Sequence, residues 1–315
     1  MPFPRMKRFN SIGRPWPLIK YPIVHRTFAT EPLPVSLQPT LYYPRTFNMM
    51  TRRTLGRLAL ATSIGALTIS GFTVAEEQTL KIGLAASPAN EAVRYAAQVA
   101  ETKGLHVKLY EFTDWVTPNS ALNNGDVDVN YFQHVPFLEN AQKANGWKFS
   151  AVAPGYISWL GAYTEKLKSL DDLKDGAKIS FANDPVNTGR ALLFLQSLGL
   201  VKLKPGASYG ATLQDVVENP KQLQFIQVEA QQVVRSLPDV DVGLTFASFI
   251  KLAGKDPADA LVFEKPDNLY AIHWVARADH AHDPRIAEFI NIYDTAPEVK
   301  KILTDLYNGQ VGFAW

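Results

Sequence analysis

The chain has 315 residues, of which 46% are hydrophobic and 20% are charged, with 21 Pro and no Cys. A chain of this length can bury a large core, so the composition excludes a disordered protein and a small disulfide-stabilised one. Without Cys the sequence can form no disulfide, no thiolate metal site and no cysteine nucleophile.

Charge is unevenly distributed along the chain. Residues 1–75 contain 10 Lys and Arg and a single acid, Glu31, whereas residues 76–315 contain 22 Lys and Arg and 29 Asp and Glu. The larger part of the chain is therefore acidic overall. This balance argues against a basic nucleic-acid-binding body, and we expect no nucleic-acid partner.

The first 75 residues consist of two dissimilar segments. Residues 1–48 hold 9 prolines and show no helical or strand period, which predicts a disordered or non-native extension, with translation starting at Met49 or Met50. Residues 49–75 have the pattern of a secretory signal peptide: arginines, a 15-residue apolar run, and small residues before Glu76. Because a membrane span needs about 20 apolar residues, the pattern predicts export, by the Sec or the twin-arginine route.

From residue 78 onward, apolar periodicity alternates between strand and helix. Residues 80–84 and 107–112 have the pattern of strands, and residues 89–103 carry a helical apolar stripe, which predicts a βαβ unit with a parallel pair. The same reasoning predicts further strands at 127–131, 149–152, 178–181, 223–228, 240–244 and 271–276, and further helices at 188–198, 212–218, 284–293 and 297–308.

This alternation predicts an α/β protein with two lobes, because so many strands exceed a single sheet. We expect residues 76–160 to form the first part of lobe 1, residues 161–249 to form lobe 2, and residues 250–315 to return to lobe 1. A ligand would bind in the cleft between the lobes, at the carboxyl ends of strands.

Two motifs have the residue types of catalytic or metal sites. Residues 206–210 match the nucleophile-elbow pattern around Ser208, but a polar turn stands where that motif needs a buried strand. Thr212 and Asp215 are spaced like a helix cap instead. Residues 279–283 contain two His and two Asp, yet acids before a helix are typical of caps. We therefore expect no enzyme activity, no metal and no cofactor.

Residues 183–190 are more informative, because they follow a predicted strand and open a predicted helix. Free N–H groups at a helix start attract anions, and the guanidinium of Arg190, with Asn187 beside it, suits a carboxylate. In the other interpretation, Asn and Thr cap the helix and Arg190 pairs with a surface acid. The spacing leaves both interpretations open.

Aromatic residues are concentrated at the predicted strand ends and in the turns after them. Most must belong to the core, and we expect about a third to face a ligand. His134 is ambiguous between a helix cap and a cleft residue. The aromatic residues in question are Phe112, Trp115, Tyr131, Phe132, Phe137, Tyr156, Trp159 and Tyr163.

Residues 79–315 resemble the NlpA/MetQ family, the substrate-binding components of methionine ABC importers. The matching stretches are 112–122, 125–138, 169–173, 183–190, 217–221, 229–231, 235–237 and 312–315. The resemblance implies a type 2 periplasmic-binding-protein fold, in which two α/β lobes close on one ligand. It implies that Arg190 binds the ligand α-carboxylate with help from Asn187. The implied side-chain pocket consists of Trp115, Tyr131, Phe132 and His134.

The chain departs from the family where the family carries an Asn that holds the polar end of the amino acid. Here Phe246 or, after a small shift, Ser248 stands at that position, and Tyr156 opens a stretch that replaces a His-x-Glu-Pro-like pattern. Losing an amide that pairs with an ammonium should cost about 1.5–3 kcal/mol of binding free energy. We expect methionine or a related amino acid as ligand, with a sulfonate or another organic anion as the alternative.

The resemblance also implies an exported, periplasmic monomer. Its partners would be a small amino-acid-like ligand and an ABC permease in the inner membrane with its ATPase. The Cys that carries the lipid anchor in this family is missing, so we expect a form that is not lipid-anchored.

Overall fold

The computed structural model describes residues 79–315, so the predicted extension and signal peptide lie outside the described residues. Strands and helices alternate along most of this part of the chain, as the periodicity predicts. No helix within it is long and apolar enough to cross a bilayer. The strands are β1 (Leu80–Ala85), β2 (Val107–Phe112), β3 (Val129–His134), β4 (Phe149–Ser158), β5 (Leu160–Tyr163), β6 (Lys178–Ala182), β7 (Lys202–Leu203), β8 (Val216–Glu218), β9 (Gln224–Val228), β10 (Val242–Phe246), β11 (Val262–Phe263), β12 (Ala271–Arg277) and β13 (Val311–Phe313). The helices are α1 (Asn90–Thr102), α2 (Thr117–Asn124), α3 (Val135–Asn145), α4 (Pro185–Ser197), α5 (Val233–Ser236), α6 (Ala247–Leu252), α7 (Pro284–Thr295) and α8 (Pro297–Leu306).

Lobe 1 is built on a six-stranded sheet in the order β13-β4-β12-β3-β1-β2. β1 pairs in parallel with β2 and β3, so the predicted βαβ unit is confirmed. Helix α1 connects β1 to β2 and buries an alanine- and valine-rich stripe that includes Ala92, Val93 and Ala96. This stripe belongs to the same core as the buried faces of α7 and α8.

Lobe 2 is built on a separate five-stranded sheet in the order β11-β5-β10-β6-β9. β6 is parallel to β9 and β10, and β5 runs antiparallel to β10. Its core is distinct from that of lobe 1 and includes Leu192 and Leu195 of α4 together with Ile179 and Phe181 of β6. Two sheets with separate cores confirm the predicted two-lobed α/β class.

Within residues 79–315 the chain crosses between the lobes twice. The first crossover is Trp159, between β4 and β5, and the second is the segment 264–270, between β11 and β12. The sheet pairing therefore places the return to lobe 1 later than the expected boundary at 249/250. The reason is that β11 pairs antiparallel with β5 and so remains part of the lobe 2 sheet.

The segment predicted as a helix at 212–218 has a different structure. Thr212 and Asp215 do form a capping box, but it caps a single 3-10 turn, Leu213–Asp215. The chain then continues as β8, which pairs with β7. The helix prediction is therefore wrong, because a cap identifies a turn start but not how far the turn propagates.

Helices α2 and α3 were missed by periodicity but have clear end signals. Each has Pro in its first turn and ends at a glycine, Gly125 or Gly146, with φ of +80° and +72°. Pro inside the start and Gly at the end of a helix are the usual punctuation, because Gly adopts the left-handed conformation without strain.

Candidate ligand-binding site

A cavity lies between the two lobes, where β1, β3, β4 and β10 end. All nine residues predicted from the sequence lie in its wall, although they come from well-separated parts of the chain. These residues are Trp115, Tyr131, Phe132, His134, Tyr156, Asn187, Arg190, Phe246 and Ser248. The fold therefore brings the predicted set to one place, and their individual roles toward a ligand stay predictions.

The lobe 1 wall of the cavity is mainly aromatic. Trp115 lies edge-on to Phe137 with ring centroids 6.0 Å apart, and it reaches lobe 2, where its ring lies 5.6 Å from that of Phe249. Phe132 packs edge-on against Phe137 at 6.1 Å. Such edge-to-face arrangements fix ring positions, so the apolar surface offered to a ligand has a defined shape.

Contacts with neighbouring side chains and with the backbone fix the position of Tyr131. Its ring stacks on Trp274 with centroids 3.9 Å apart, and its hydroxyl accepts a hydrogen bond from the Tyr156 backbone N–H at 3.2 Å. Burial raises the pKa of the Tyr131 hydroxyl well above its ordinary value, so the group is neutral. Tyr131 therefore shapes the cavity floor more than it supplies a free polar group.

His134 links the two lobes across the cavity. Its Nδ1 accepts a hydrogen bond from the Phe137 N–H at 3.2 Å, so its proton is on Nε2, which lies 3.3 Å from Asn187 Oδ1. Burial and the nearby Arg190 charge lower the pKa of His134 to about 3, so the ring is neutral. His134 is thus both the α3 cap and a cleft residue, which the sequence left open.

Asp184 caps helix α4 and holds Asn187. Its carboxylate accepts hydrogen bonds from the Asn187 backbone N–H at 2.9 Å and from Asn187 Nδ2 at 3.1 and 2.9 Å. The Asn187 amide is therefore oriented with its nitrogen toward Asp184 and its oxygen toward His134. The start of α4 is therefore capped, but by Asp184 and not by the Asn and Thr of the second interpretation.

Arg190 is 2% exposed and pairs with Glu264, whose side chain is 11% exposed, instead of the surface acid expected from the sequence. Its Nε donates to Glu264 Oε2 at 2.9 Å, and its Nη2 donates to Glu264 Oε1 and, at 3.2 Å, to the Ser158 carbonyl. The guanidinium is 3.9 Å from the Tyr270 ring centroid and 5.0 Å from that of Phe246. No described residue accepts a hydrogen bond from Nη1.

Sequence reasoning missed several residues of this region. Ser158, Phe249 and Tyr270 line the cavity, and Glu264 lies directly behind Arg190. Tyr270 and Glu264 bound the second crossover, where no periodic pattern exists to reveal them. By contrast, Phe112, Trp159 and Tyr163, which were considered with the other aromatic residues, do not line this cavity.

The two motifs set aside in the sequence have ordinary structural roles. Ser208 is exposed in the loop before the 3-10 turn and does not follow a buried strand, so the context of a nucleophile elbow is missing. Asp283 caps α7 by accepting a hydrogen bond from the Arg285 N–H at 2.9 Å. Residues 79–315 contain no group of three or more His, Asp and Glu placed to hold a metal ion.

Two α/β lobes joined by two crossovers, with a lined cavity between them, define the class of periplasmic solute-binding proteins. The family model described as NlpA lipoprotein matches residues 80–315, and the chain belongs to that family. The chain is 38% identical over 266 residues to the D-methionine-binding lipoprotein MetQ of Salmonella typhi, which covers 82% of this chain and 97% of that protein.

Solved structures show the same similarity. The crystal structure of the methionine-binding protein MetQ superposes with a TM-score of 0.73 at 36% identity and covers 76% of this chain and 99% of that one. A nutrient-binding protein of Burkholderia cenocepacia, bound to methionine, gives a TM-score of 0.72 at 38% identity, with 75% of this chain and all 100% of that one covered. Both confirm the fold expected from the resemblance.

The expectation that this protein has no lipid anchor is wrong by the same comparison. Its relatives are lipoproteins by name, among them the MetQ proteins and outer membrane lipoprotein 2 of Mannheimia haemolytica. The expectation relied only on the absence of Cys from the sequence, and the mature N-terminus of such a protein lies outside the described residues.

Proposed function

We propose that this protein is the extracytoplasmic solute-binding component of an ABC importer, and that it binds methionine or a closely related amino acid without catalysing a reaction. The observation that carries the proposal is the buried guanidinium of Arg190, which borders a cavity rich in aromatic side chains and whose Nη1 has no acceptor among the described residues. The names of the relatives, D-methionine-binding and methionine-binding proteins, support the same ligand class.

In this proposal the ligand carboxylate accepts hydrogen bonds from Arg190 Nη1, close to Asn187. A charge-assisted hydrogen bond of this kind is short and strong, particularly in a buried site. The apolar side chain of the ligand lies among Trp115, Phe132 and Phe137. A thioether suits such a pocket, because sulfur–aromatic contacts contribute about 0.3–1.5 kcal/mol each.

The polar end of an amino acid needs acceptors where the family usually has an Asn. Ser158 and Ser248 both line the cavity. The Ser158 hydroxyl is buried and has no hydrogen-bond partner among the described residues. Because buried polar groups are normally paired, this hydroxyl is a suitable partner for the ligand ammonium.

Closure of the lobes would present the surface that an inner-membrane permease and its ATPase recognise, with the binding protein acting as a monomer. Hydrogen bonds among the described residues already join the lobes around the cavity, including His134 to Asn187 at 3.3 Å, Arg190 Nη2 to the Ser158 carbonyl at 3.2 Å and the Tyr209 hydroxyl to Glu139 at 3.0 Å. These contacts belong to a closed arrangement, in which a bound solute would be shielded from water.

Calorimetry on the purified protein tests the proposal, with L-methionine, D-methionine, norleucine and butanesulfonate as ligands. We expect micromolar or tighter binding of at least one methionine enantiomer, weaker binding of norleucine, which lacks the sulfur, and no binding of the sulfonate. Native mass spectrometry of protein purified without refolding would show whether a solute of matching mass is retained. Preferential binding of the sulfonate would contradict the proposal and support the organic-anion alternative.

A further inference from the structure

Among the described residues that line the cavity, Arg190 alone is charged at neutral pH. His134 is neutral there, and the others have apolar, hydroxyl or amide side chains. A lone buried guanidinium would attract any small anion and would be costly to bury without a partner. The charge of Arg190 is balanced from outside the cavity wall by Glu264.

Glu264 is fixed at the junction of the two crossovers. Its Oε1 accepts a hydrogen bond from the Leu160 N–H at 3.0 Å, and its own backbone N–H donates to the Leu160 carbonyl at 2.9 Å. Its other oxygen, Oε2, accepts from Arg190 Nε at 2.9 Å. The side chains of Glu264 and Arg190 are only 11% and 2% exposed. The carboxylate is therefore held by the first residue of β5 and by Arg190, and it cannot turn away without breaking these hydrogen bonds.

We propose that Glu264 is a specificity-determining residue, which makes the cavity electrically neutral and restricts Arg190 to its Nη1 edge, so that the site selects a zwitterion over an anion of the same shape. The inference rests on the proposed function for the identity of the ligand. The charge of the ligand that the site selects is argued independently of that function. Glu264 is one residue beyond β11, at the start of the second crossover, and it touches the ligand only through Arg190.

The physical basis is the balance of charges in a poorly solvated space. A ligand carboxylate at Nη1 is attracted by Arg190 and repelled by Glu264, so the net attraction is weaker than that of Arg190 alone. A zwitterion recovers the lost attraction, because its ammonium is attracted by the Glu264 carboxylate. A simple anion has no such compensation, and the Nε–Nη2 edge that would bind it in bidentate fashion is occupied.

The first test uses small anions, so it does not depend on the natural ligand. Thermal unfolding of the wild type, of Glu264→Gln and of Glu165→Gln is measured with increasing acetate and methanesulfonate at constant ionic strength. Glu165 is the matched control, since it pairs with Lys255 on the exposed surface of lobe 2. We expect a saturable rise in melting temperature only for Glu264→Gln. If Glu264→Gln shows no greater response than the control, the inference is overturned.

The second test compares methionine with its 2-hydroxy analogue, an anion of nearly the same shape. In Glu264→Gln we expect the affinity for methionine divided by the affinity for the 2-hydroxy analogue to fall about tenfold or more. This is the order expected for removing one nearby charge in a partly buried site. Glu264→Asp, which keeps the charge, should retain the wild-type ratio. Equal weakening of both ligands in Glu264→Gln, or the same ratio change in Glu264→Asp, would assign Glu264 a purely structural role.

The two tests separate this inference from the proposed function. A wild-type protein that binds neither compound, together with an anion response in Glu264→Gln, would contradict methionine as the ligand but support the role of Glu264. Methionine binding by the wild type, with no anion response in Glu264→Gln, would support methionine as the ligand and contradict the role of Glu264.

Discussion

The two walls of the cavity are built on different physical principles. The lobe 1 wall consists mainly of rings such as Trp115, Phe132 and Phe137, which are positioned by packing against one another. Lobe 2 adds Phe246 and Phe249 to the wall, but its polar groups are positioned by directed bonds: Asp184 orients Asn187, and Glu264 orients Arg190. Packing tolerates small changes of shape, whereas a buried ion pair fails when either partner is lost. Substitutions should therefore have graded effects in lobe 1 and abrupt ones in lobe 2.

The largest effect is expected for Arg190→Ala. The ligand loses its carboxylate partner, which should weaken binding by about 2 kcal/mol or more. Glu264 is left buried without its counter-ion, which should lower the free energy of unfolding by about 3–5 kcal/mol. Calorimetry with methionine and urea denaturation measure the two effects.

Arg94→Ala is the matched control for this substitution. Arg94 forms an ion pair with Glu111 on the surface of lobe 1, with side chains that are 48% and 42% exposed. Since exposed pairs contribute about 0–1 kcal/mol, this variant should bind and unfold almost like the wild type. Near-unchanged methionine affinity in Arg190→Ala would contradict the carboxylate assignment.

The second largest effect is expected in the helix that carries Asn187 and Arg190. A Cβ added at Gly189 would lie 2.1 Å from the Tyr209 backbone oxygen and 3.0 Å from the Ala211 nitrogen, so α4 or the loop would have to move. Gly189→Ala should therefore lower the free energy of unfolding by about 1–3 kcal/mol. It should also weaken ligand binding, because α4 positions both polar groups.

Gly210 offers a control in the same loop, because a Cβ there would meet no atom within 4 Å. Gly210→Ala should leave urea denaturation and ligand affinity nearly unchanged. If Gly189→Ala is as stable as Gly210→Ala, the close approach of the loop to α4 does not constrain the site.

Much of lobe 1 follows from local sequence pattern. The spacing of apolar residues predicts β1, α1 and β2, because each element buries one face against its neighbours and so repeats with a fixed period. Strand β4 is longer than predicted, Phe149–Ser158 instead of 149–152, and it carries the chain up to the first crossover. The local pattern does not predict the end of β4, because few of its residues alternate between apolar and polar although the strand is paired on both sides.

The electrostatics of the lobe 2 wall could not be read from the sequence. The sequence identified Arg190 as a cation at a helix start, but its partner Glu264 is 74 residues away along the chain. Which of many acids meets a given arginine depends on how the two crossovers are paired, and this is a property of the tertiary fold. The resemblance to a family indicated the site residues, yet it did not indicate that one edge of the guanidinium is already occupied.

The pH dependence of stability tests the burial of His134 beside Arg190, between the two walls. The pKa of His134 is lowered to about 3 in the folded protein, from an ordinary value of 6.5. Between these values the unfolded chain binds a proton that the folded protein does not. His134 therefore makes stability fall as the pH drops below about 6.5, by up to about 1.4 kcal/mol per pH unit.

His134→Gln should remove this contribution to the slope, so its stability should decline less steeply than that of the wild type between pH 6 and pH 4. Urea denaturation at several pH values measures the difference, in which groups common to both proteins cancel. His280→Gln is the control, because His280 is exposed and lies away from the cavity. Parallel curves for the wild type and His134→Gln would show that His134 is protonated in the folded protein.

The smallest effect is expected for Trp115→Phe, which tests whether the aromatic wall responds in a graded way. Trp115 contacts Phe137 in its own lobe and Phe246 and Phe249 in the other, so a smaller ring loses part of the contact that closure creates. Each aromatic pair contributes about 0.5–1.5 kcal/mol, and we expect methionine affinity to fall by about 1 kcal/mol. The free energy of unfolding should change less than the affinity, because the contacts with lobe 2 depend on closure.

Trp147→Phe, in a lobe 1 cluster away from the cavity, is the control and should leave the affinity unchanged. A loss in Trp115→Phe as large as that in Arg190→Ala would mean that the two walls do not differ in the way their construction indicates.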